Sequence, residues 1–307
     1  MLNLNGMFPD RQAFPRHFIY MRHDRAQLMP AAGTKSNDFI DVIGVKHWYD
    51  GSPYIGSMYL KEPYLTNEFN QQKLDIPENQ TGTNLIGKEE LKAFIKKYHS
   101  NGWQIAIHTQ GGAAISDVLD AYEELSAELD YSKSRHRLEH CLLMPTADLS
   151  RMSTLGMTPS YHINHLYFYG DALKEHVIGE ERAKKLLPLR STLENGLTLS
   201  LHADQPMFAS HPFRLIQTAV ERKTRLGNPM SQDQRIELID AIKAMTISAA
   251  WQIHKEDKLG SLTVGKYADF IVLDSDPFST PFSELENIKC LETYVSGNKV
   301  DTSEDTN

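Results

Sequence analysis

From residue 88 onward, amphipathic stretches alternate with short apolar runs, and the stretches close on residues that tolerate positive φ. In KEELKAFIKKYHS, Leu91, Phe94, Ile95 and Tyr98 recur at helical spacing, with Lys and Glu on the other face. Asn101-Gly102 supplies the stop. Trp103 to Ile107 then predicts a short strand ending at His108, followed by a helix with Ile115, Val118, Leu119, Tyr122 and Leu125 on its apolar face. The rhythm returns twice. A helix through Leu149, Met152 and Leu155 stops at Gly156, and Met157 to Tyr161 predicts a strand. A helix through Leu189 and Leu193 stops at Asn195-Gly196, and Leu197 to Leu201 predicts a strand running into His202, Ala203 and Asp204. Strands alternating with amphipathic helices indicate βα units and a parallel sheet.

The polar residues at the strand ends carry the chemistry. In a (β/α) barrel, reactive groups gather at the C-terminal ends of the strands. Here those ends hold His108, His140 (closing RHRLEH) and Asp204, and another expected strand, Phe39 to Val45, runs into Lys46 and His47. His, His and Asp from separate units would converge on one mouth, where they suit Zn or Mn. After about residue 254 the texture changes to short β-prone runs between Gly and Asp turns, which predicts a small β appendage. The expected division is residues 1–254 as the barrel and 255–307 as a small β-sandwich segment. Residues 1 to 36 show no firm periodicity, and Lys61 to Gly87 reads as a long loop over one face.

Composition narrows the picture. A chain of 307 residues can bury a large core. The net charge of -8 argues against a general affinity for nucleic acid or an anionic membrane. No run approaches the roughly 18 apolar residues of a spanning helix. MLNLNGMFPDRQAF carries Pro and charges where a signal peptide needs an apolar centre. With two cysteines, Cys141 and Cys290, far apart in sequence, neither a disulfide scaffold nor a thiolate cluster is indicated, and a reducing, cytoplasmic setting is expected.

Five ordered blocks between about residues 38 and 300 resemble the YtcJ-like branch of the amidohydrolase superfamily (amidohydrolase family 3). They are GVKHWYDGSPYIGSMYL, GWQIAIHTQGGAAISDVLDAYEE, RHRLEHCLLMPTADLSRMSTLGMTPSYH, LENGLTLSLHADQPMFASHPF and AMTISAAWQIHKEDKLGSLTVGKYADFIVLDSDP. The resemblance implies a TIM-type (β/α) barrel and hydrolysis of non-peptide C–N bonds with one or two divalent metals. Zn is the first choice, with Mn, Fe or Co as alternatives. It further implies that Lys46 is a carbamylated metal ligand, that His108 and His140 ligate through neutral imidazole, and that Asp204 ligates weakly and takes a proton from the attacking water. The family pattern opens with His-x-His at the end of its first strand, and this sequence has no such motif. Its start corresponds to the approach to the family's fourth strand, so strands one to three are expected to be absent. Gly112 stands where the family usually has Asp.

By residue type alone, a strand-end histidine is more often a hydrogen-bonded structural group than a ligand, and Asp50-Gly51-Ser52 is first a tight turn. His162 and His165, after a strand end, are expected on a loop facing the substrate. His202 can point into the mouth or into the core by strand alternation, and is left outside the ligand set. The aromatic run Tyr161, Tyr167, Phe168 and Tyr169 reads first as packing. The expected activity is a metal-dependent hydrolase acting on a small-molecule substrate. Two alternatives stay open: a catalytically inactive truncated barrel, or an assembly module, such as a homo-oligomer, whose unclosed edges another chain covers.

Overall fold

The computed structural model describes residues 15–34 and 39–300. Six strands form one sheet in sequence order: β1 (His17–Arg22), β2 (Ile40–Trp48), β3 (Gln104–Thr109), β4 (Arg137–His140), β5 (Thr158–Tyr161) and β6 (Ser200–Leu201). Every neighbouring pair is parallel. The connections are helical. Between β2 and β3 lie α1 (Glu68–Lys73) and α2 (Lys88–Ser100), then α3 (Gly112–Leu125) and α4 (Thr146–Thr154) make the next two crossovers. Three helices, α5 (Asn164–Ala172), α6 (Glu180–Ala183) and α7 (Leu189–Glu194), separate β5 from β6. After β6 come α8 (Pro212–Glu221), α9 (Leu238–Met245) and α10 (Ile247–Gln252). Among the described residues β1 and β6 do not pair, so the sheet is an open part of a (β/α) barrel.

The expected βα rhythm is present, with three differences. The sheet holds one strand more than the pattern showed, because His17–Arg22 pairs along β2. The last sheet strand is shorter than expected, with only Ser200 and Leu201 paired to β5. The long loop contains the short helix α1, whose N-cap Asn67 accepts a bond from the Asn70 amide.

Strand alternation separates two environments. Val45, Ile105, Ile107, Leu138, Tyr161 and Leu201 are buried in the same apolar core as Leu91 and Ile95 of α2, Ile115 and Val118 of α3, and Leu149 and Met152 of α4. The alternate residues face the concave side, which is polar. There the Tyr20 hydroxyl donates to Gln104 Oε1 at 2.6 Å, and Arg137 pairs with Glu139 at 2.8 Å. Gly44 lets β1 and β3 come this close to β2, since a Cβ there would sit 2.3 Å from the Gln104 carbonyl oxygen and 2.8 Å from the Tyr20 ring. Gln252, at the end of α10, plugs the N-terminal end of the strands by bonding to Thr158, Pro159 and Ser200.

The appendage is a three-stranded antiparallel sheet of β7 (Phe270–Leu273), β8 (Cys290–Val295) and β9 (Asn298–Lys299). Arg16 ties the start of the described chain to it through Asp269 at 2.6 Å and Ser296 at 2.6 Å. No helix among the described residues is long and apolar enough to cross a membrane.

Candidate metal centre

The C-terminal ends of β2 to β6 bring the expected residues to one mouth. Parallel register sets Lys46 beside Ala106, Trp48 beside His108, and His108 beside Glu139. Lys46 therefore shares the polar concave face with His108 and Glu139. Burial pulls its ammonium down to about 8, while the Glu139 carboxylate pulls the other way.

His108 and His140 lie with ring centroids 4.4 Å apart. His108 Nε2 is 3.2 Å from the Gly51 carbonyl oxygen and 3.6 Å from Asp50 Oδ1. A carbonyl only accepts, so Nε2 carries the proton and Nδ1 keeps its lone pair. Burial, reinforced by the Lys46 charge, holds His108 at about 3, so the ring is neutral at neutral pH. His140 is pushed well below its ordinary value by burial and by His108. Its backbone is left-handed, with φ 74, and Asp204 is likewise at φ 59. Such conformations cost on the order of 1 kcal/mol for a non-glycine residue and tend to concentrate at functional sites.

His162 follows β5 on the expected loop, whereas His165 is not on a loop but in the first turn of α5, at the same mouth. Their rings are 4.1 Å apart, and the His140 ring is 5.8 Å from His162 and 6.5 Å from His165. Ring nitrogens of His140, His162 and His165 all lie within 4.8 Å of one another, as do the donor atoms of His140, His202 and Asp204. His108 joins neither group. His165 is held by the Tyr54 hydroxyl on Nδ1 and by the Gln110 side chain at 2.9 Å on Nε2. His162 is fully buried, and among the described residues neither of its ring nitrogens makes a hydrogen bond of good geometry, although the Ala203 backbone lies close enough to pull its pKa upward against burial. The Asp204 carboxylate is 3.8 Å from His162 Nδ1 and its side chain is 43% exposed. Burial raises its pKa, and the Lys46 charge partly offsets that.

These residues fit a divalent cation. The poorly satisfied buried imidazole of His162 lies beside a set of neutral nitrogen donors and one carboxylate. That combination suits a borderline metal such as Zn. A cavity of about 660 Å³, lined by Lys61, Glu62, Arg182 and Asp233, contains none of these histidines.

Two contributors escaped the sequence reading. His202 points into the mouth, its Nε2 3.1 Å from His140 Nδ1. LSLHAD held the signal, because alternation puts His202 on the same face as Ser200. Asp50 is the other. Its fully buried carboxylate accepts the amides of Tyr59 at 3.0 Å, Gln110 at 2.9 Å and Gly111 at 2.9 Å. This knot ties the loop after β2 to the loop that carries Gln110. It requires glycine at 111, where a Cβ would lie 1.9 Å from the Tyr59 carbonyl oxygen. Gly111→Ala is therefore expected to cost about 3 kcal/mol, the upper range for overpacking against rigid atoms. Urea unfolding of the variant beside the native protein measures it, and a change below about 0.5 kcal/mol would contradict the tight approach.

The comparisons with known proteins identify the family. The model of the amidohydrolase family matches residues 8–301. The chain is 31% identical to the N-substituted formamide deformylase of Arthrobacter pascens over 72% of its own length and 40% of that protein's. It is 25% identical to the putative amidohydrolase YtcJ of Bacillus subtilis over 92% of its length and 51% of the relative's. A crystal structure of an uncharacterized metal-dependent hydrolase from Pyrococcus horikoshii superposes with a TM-score of 0.72 at 25% identity, covering 87% of this chain and 52% of that one. The chain thus spans about half the length of the relatives it matches. By sequence over nearly its whole length, and by its partial barrel, it belongs to the amidohydrolase family.

Proposed function

We propose that this chain carries the metal-binding half of a hydrolase acting on non-peptide C–N bonds. Lys46, His108, His140 and Asp204 would hold the cation, and His162 and His165 would face the substrate. The observation that carries the reading is the pair His108 and His140. They are neutral and 4.4 Å apart on adjacent strand ends, with Lys46 and Asp204 at the same mouth. The Arthrobacter relative's name, N-substituted formamide deformylase, supports the bond class.

When bound, a divalent cation supplies Lewis acidity, which lowers the pKa of water and polarises an amide carbonyl. Lys46 contributes through its depressed pKa of about 8, which leaves a fraction of the amine free at neutral pH. The free amine can add CO₂ and lose a proton, giving an anionic carbamate in place of a cation. Asp204 stands partly exposed beside His162, and burial raises its proton affinity. It can take the proton of the attacking water and pass it to the leaving nitrogen. His162 and His165 shape the side of the mouth where the acyl or amine group sits, and Tyr54 and Gln110 fix His165 in place.

The test is amine release from a panel of N-acyl and N-formyl amides by zinc-loaded protein. Asp204→Asn is expected to lower kcat by about a thousandfold, within the range for losing a general base. Its zinc content should remain at saturating metal. Turnover of esters or phosphoesters with none of amides would contradict the bond class, and an unchanged kcat in the variant would remove Asp204 from the mechanism.

A further inference from the structure

We propose that Gln252, Ser200, Ser160 and His202 are positioning residues that set which ring nitrogen of His140 faces the cation. The inference rests on the reading of His140 as a ligand, and is argued from donors and acceptors alone.

The chain starts at the N-terminal end of the barrel. Gln252 Nε2 is 2.8 Å from the Pro159 carbonyl oxygen, which can only accept, so the amide orientation is fixed. Its second proton goes to Thr158 Oγ1 at 2.7 Å, since the Thr158 hydroxyl already donates to the Thr198 carbonyl at 2.5 Å. Gln252 Oε1 therefore faces Ser200 Oγ at 2.6 Å and accepts its only proton. Ser160 Oγ is 2.9 Å from Ser200 Oγ. The geometry suits the Ser200 hydroxyl as donor both to Gln252 Oε1 at 2.6 Å and to Ser160 Oγ at 2.9 Å, but it has one proton; the shorter contact, to an amide oxygen that can only accept, takes it, which leaves Ser160 to donate across the longer gap.

The proton of Ser160 is then spent. His202 Nδ1, 2.9 Å away, must be the donor to Ser160 Oγ. A neutral imidazole has one proton, so His202 Nε2 is bare and accepts from His140 Nδ1 at 3.1 Å. His140 is left with a bare Nε2. The five side chains thus transmit one polarity from a buried amide at the barrel floor to the lone pair at its mouth. Gln252, Ser200, Ser160 and His140 are each buried, so water does not compete along most of the path.

Nitrogen-15 NMR of imidazoles in metal-free protein at mildly alkaline pH reads the tautomer directly, with assignment by His140→Gln and His202→Gln. The native spectrum is expected to show His140 and His202 each protonated at Nδ1 and bare at Nε2. In Ser160→Ala, His202 loses its acceptor, so His140 should show mixed tautomers and the zinc Kd should rise about 10- to 100-fold, as for other outer partners of ligating histidines. Ser160→Thr keeps the hydroxyl and should restore both readouts. A native His140 protonated at Nε2 overturns the relay. So does a Ser160→Ala variant with native tautomer and affinity. If Ser160→Ala does not fold, the native spectrum and Ser160→Thr still decide. Zinc bound through His140 with an unaffected Ser160→Ala would sink the relay and leave the proposed function standing. The stated tautomers in a protein that binds no zinc would do the reverse.

Discussion

Acidifying the metal-free protein from about pH 7 to about pH 5 is expected to unfold it cooperatively. Six histidines, four of them buried (His136, His140, His162 and His165) and two half-buried (His108 and His202), have pKa values depressed below the ordinary 6.5, desolvation being the first cause in each. His108 and His136 fall to about 3 and His162 to about 4. A group depressed in the folded state contributes its full stability above the unfolded pKa. That contribution drains away as pH falls from 6.5 toward the folded value. Asp50 works the other way, because burial raises it to about 7. Near pH 5 it holds a proton when folded and releases it on unfolding. Burial raises Asp204 as well, so the net uptake on unfolding is roughly four to five protons, each worth about 1.4 kcal/mol per pH unit. A slope of several kcal/mol per unit exhausts an ordinary stability of about 5–15 kcal/mol within about two to three units. Circular dichroism against pH, with urea midpoints, measures the slope. Zinc should move the transition to lower pH, because the cation competes with protons for the same imidazoles. A metal-free protein still folded at about pH 4 would contradict the neutral-histidine site.

Gln252→Leu carries the second large effect. The side chain makes three buried hydrogen bonds, to Thr158, Pro159 and Ser200. Leucine fills similar space and satisfies none of them. It strands the Pro159 carbonyl and the Ser200 hydroxyl, each at about 1–3 kcal/mol. The expected loss is about 4 kcal/mol, or about 10 °C in Tm for a chain of this size. Gln71→Leu serves as the control, since Gln71 is exposed and its bond to Glu78 is solvent-screened. Equal Tm values for the two variants would show that the barrel floor is not organised by Gln252.

The crossover helices and the strands that lead to His108, His140 and Asp204 were legible because their outer faces are apolar and pack on helices. Leu91, Ile95, Ile115 and Val118 write that face at helical spacing, and Ile105, Ile107 and Leu138 at strand spacing. The first strand was not legible, for a physical reason. HFIYMR is an edge strand, mostly half-exposed. One of its faces turns Tyr20 toward the polar interior, to bond Gln104, so no clean alternation remains. His202 was ambiguous because alternation gives two faces without saying which is inside, and the pairing of Ser200 with Ser160 decides it. Asp50 looked like a turn residue because its three partners lie at Tyr59 and at Gln110-Gly111, distances in sequence that no local pattern spans. Gln252 sits on a helix after the last sheet strand, and only the tertiary packing of that helix brings it beneath β5 and β6.

The most direct test of the central claim is metal content by elemental analysis, on native protein and on the His108→Ala, His140→Ala double variant. Both would be prepared with zinc or manganese and bicarbonate and then freed of loose metal. The account predicts about one tightly held divalent cation per native chain, as expected for a site of histidines and a carboxylate, and none in the double variant. No metal in the native protein, or equal metal in both, would contradict it.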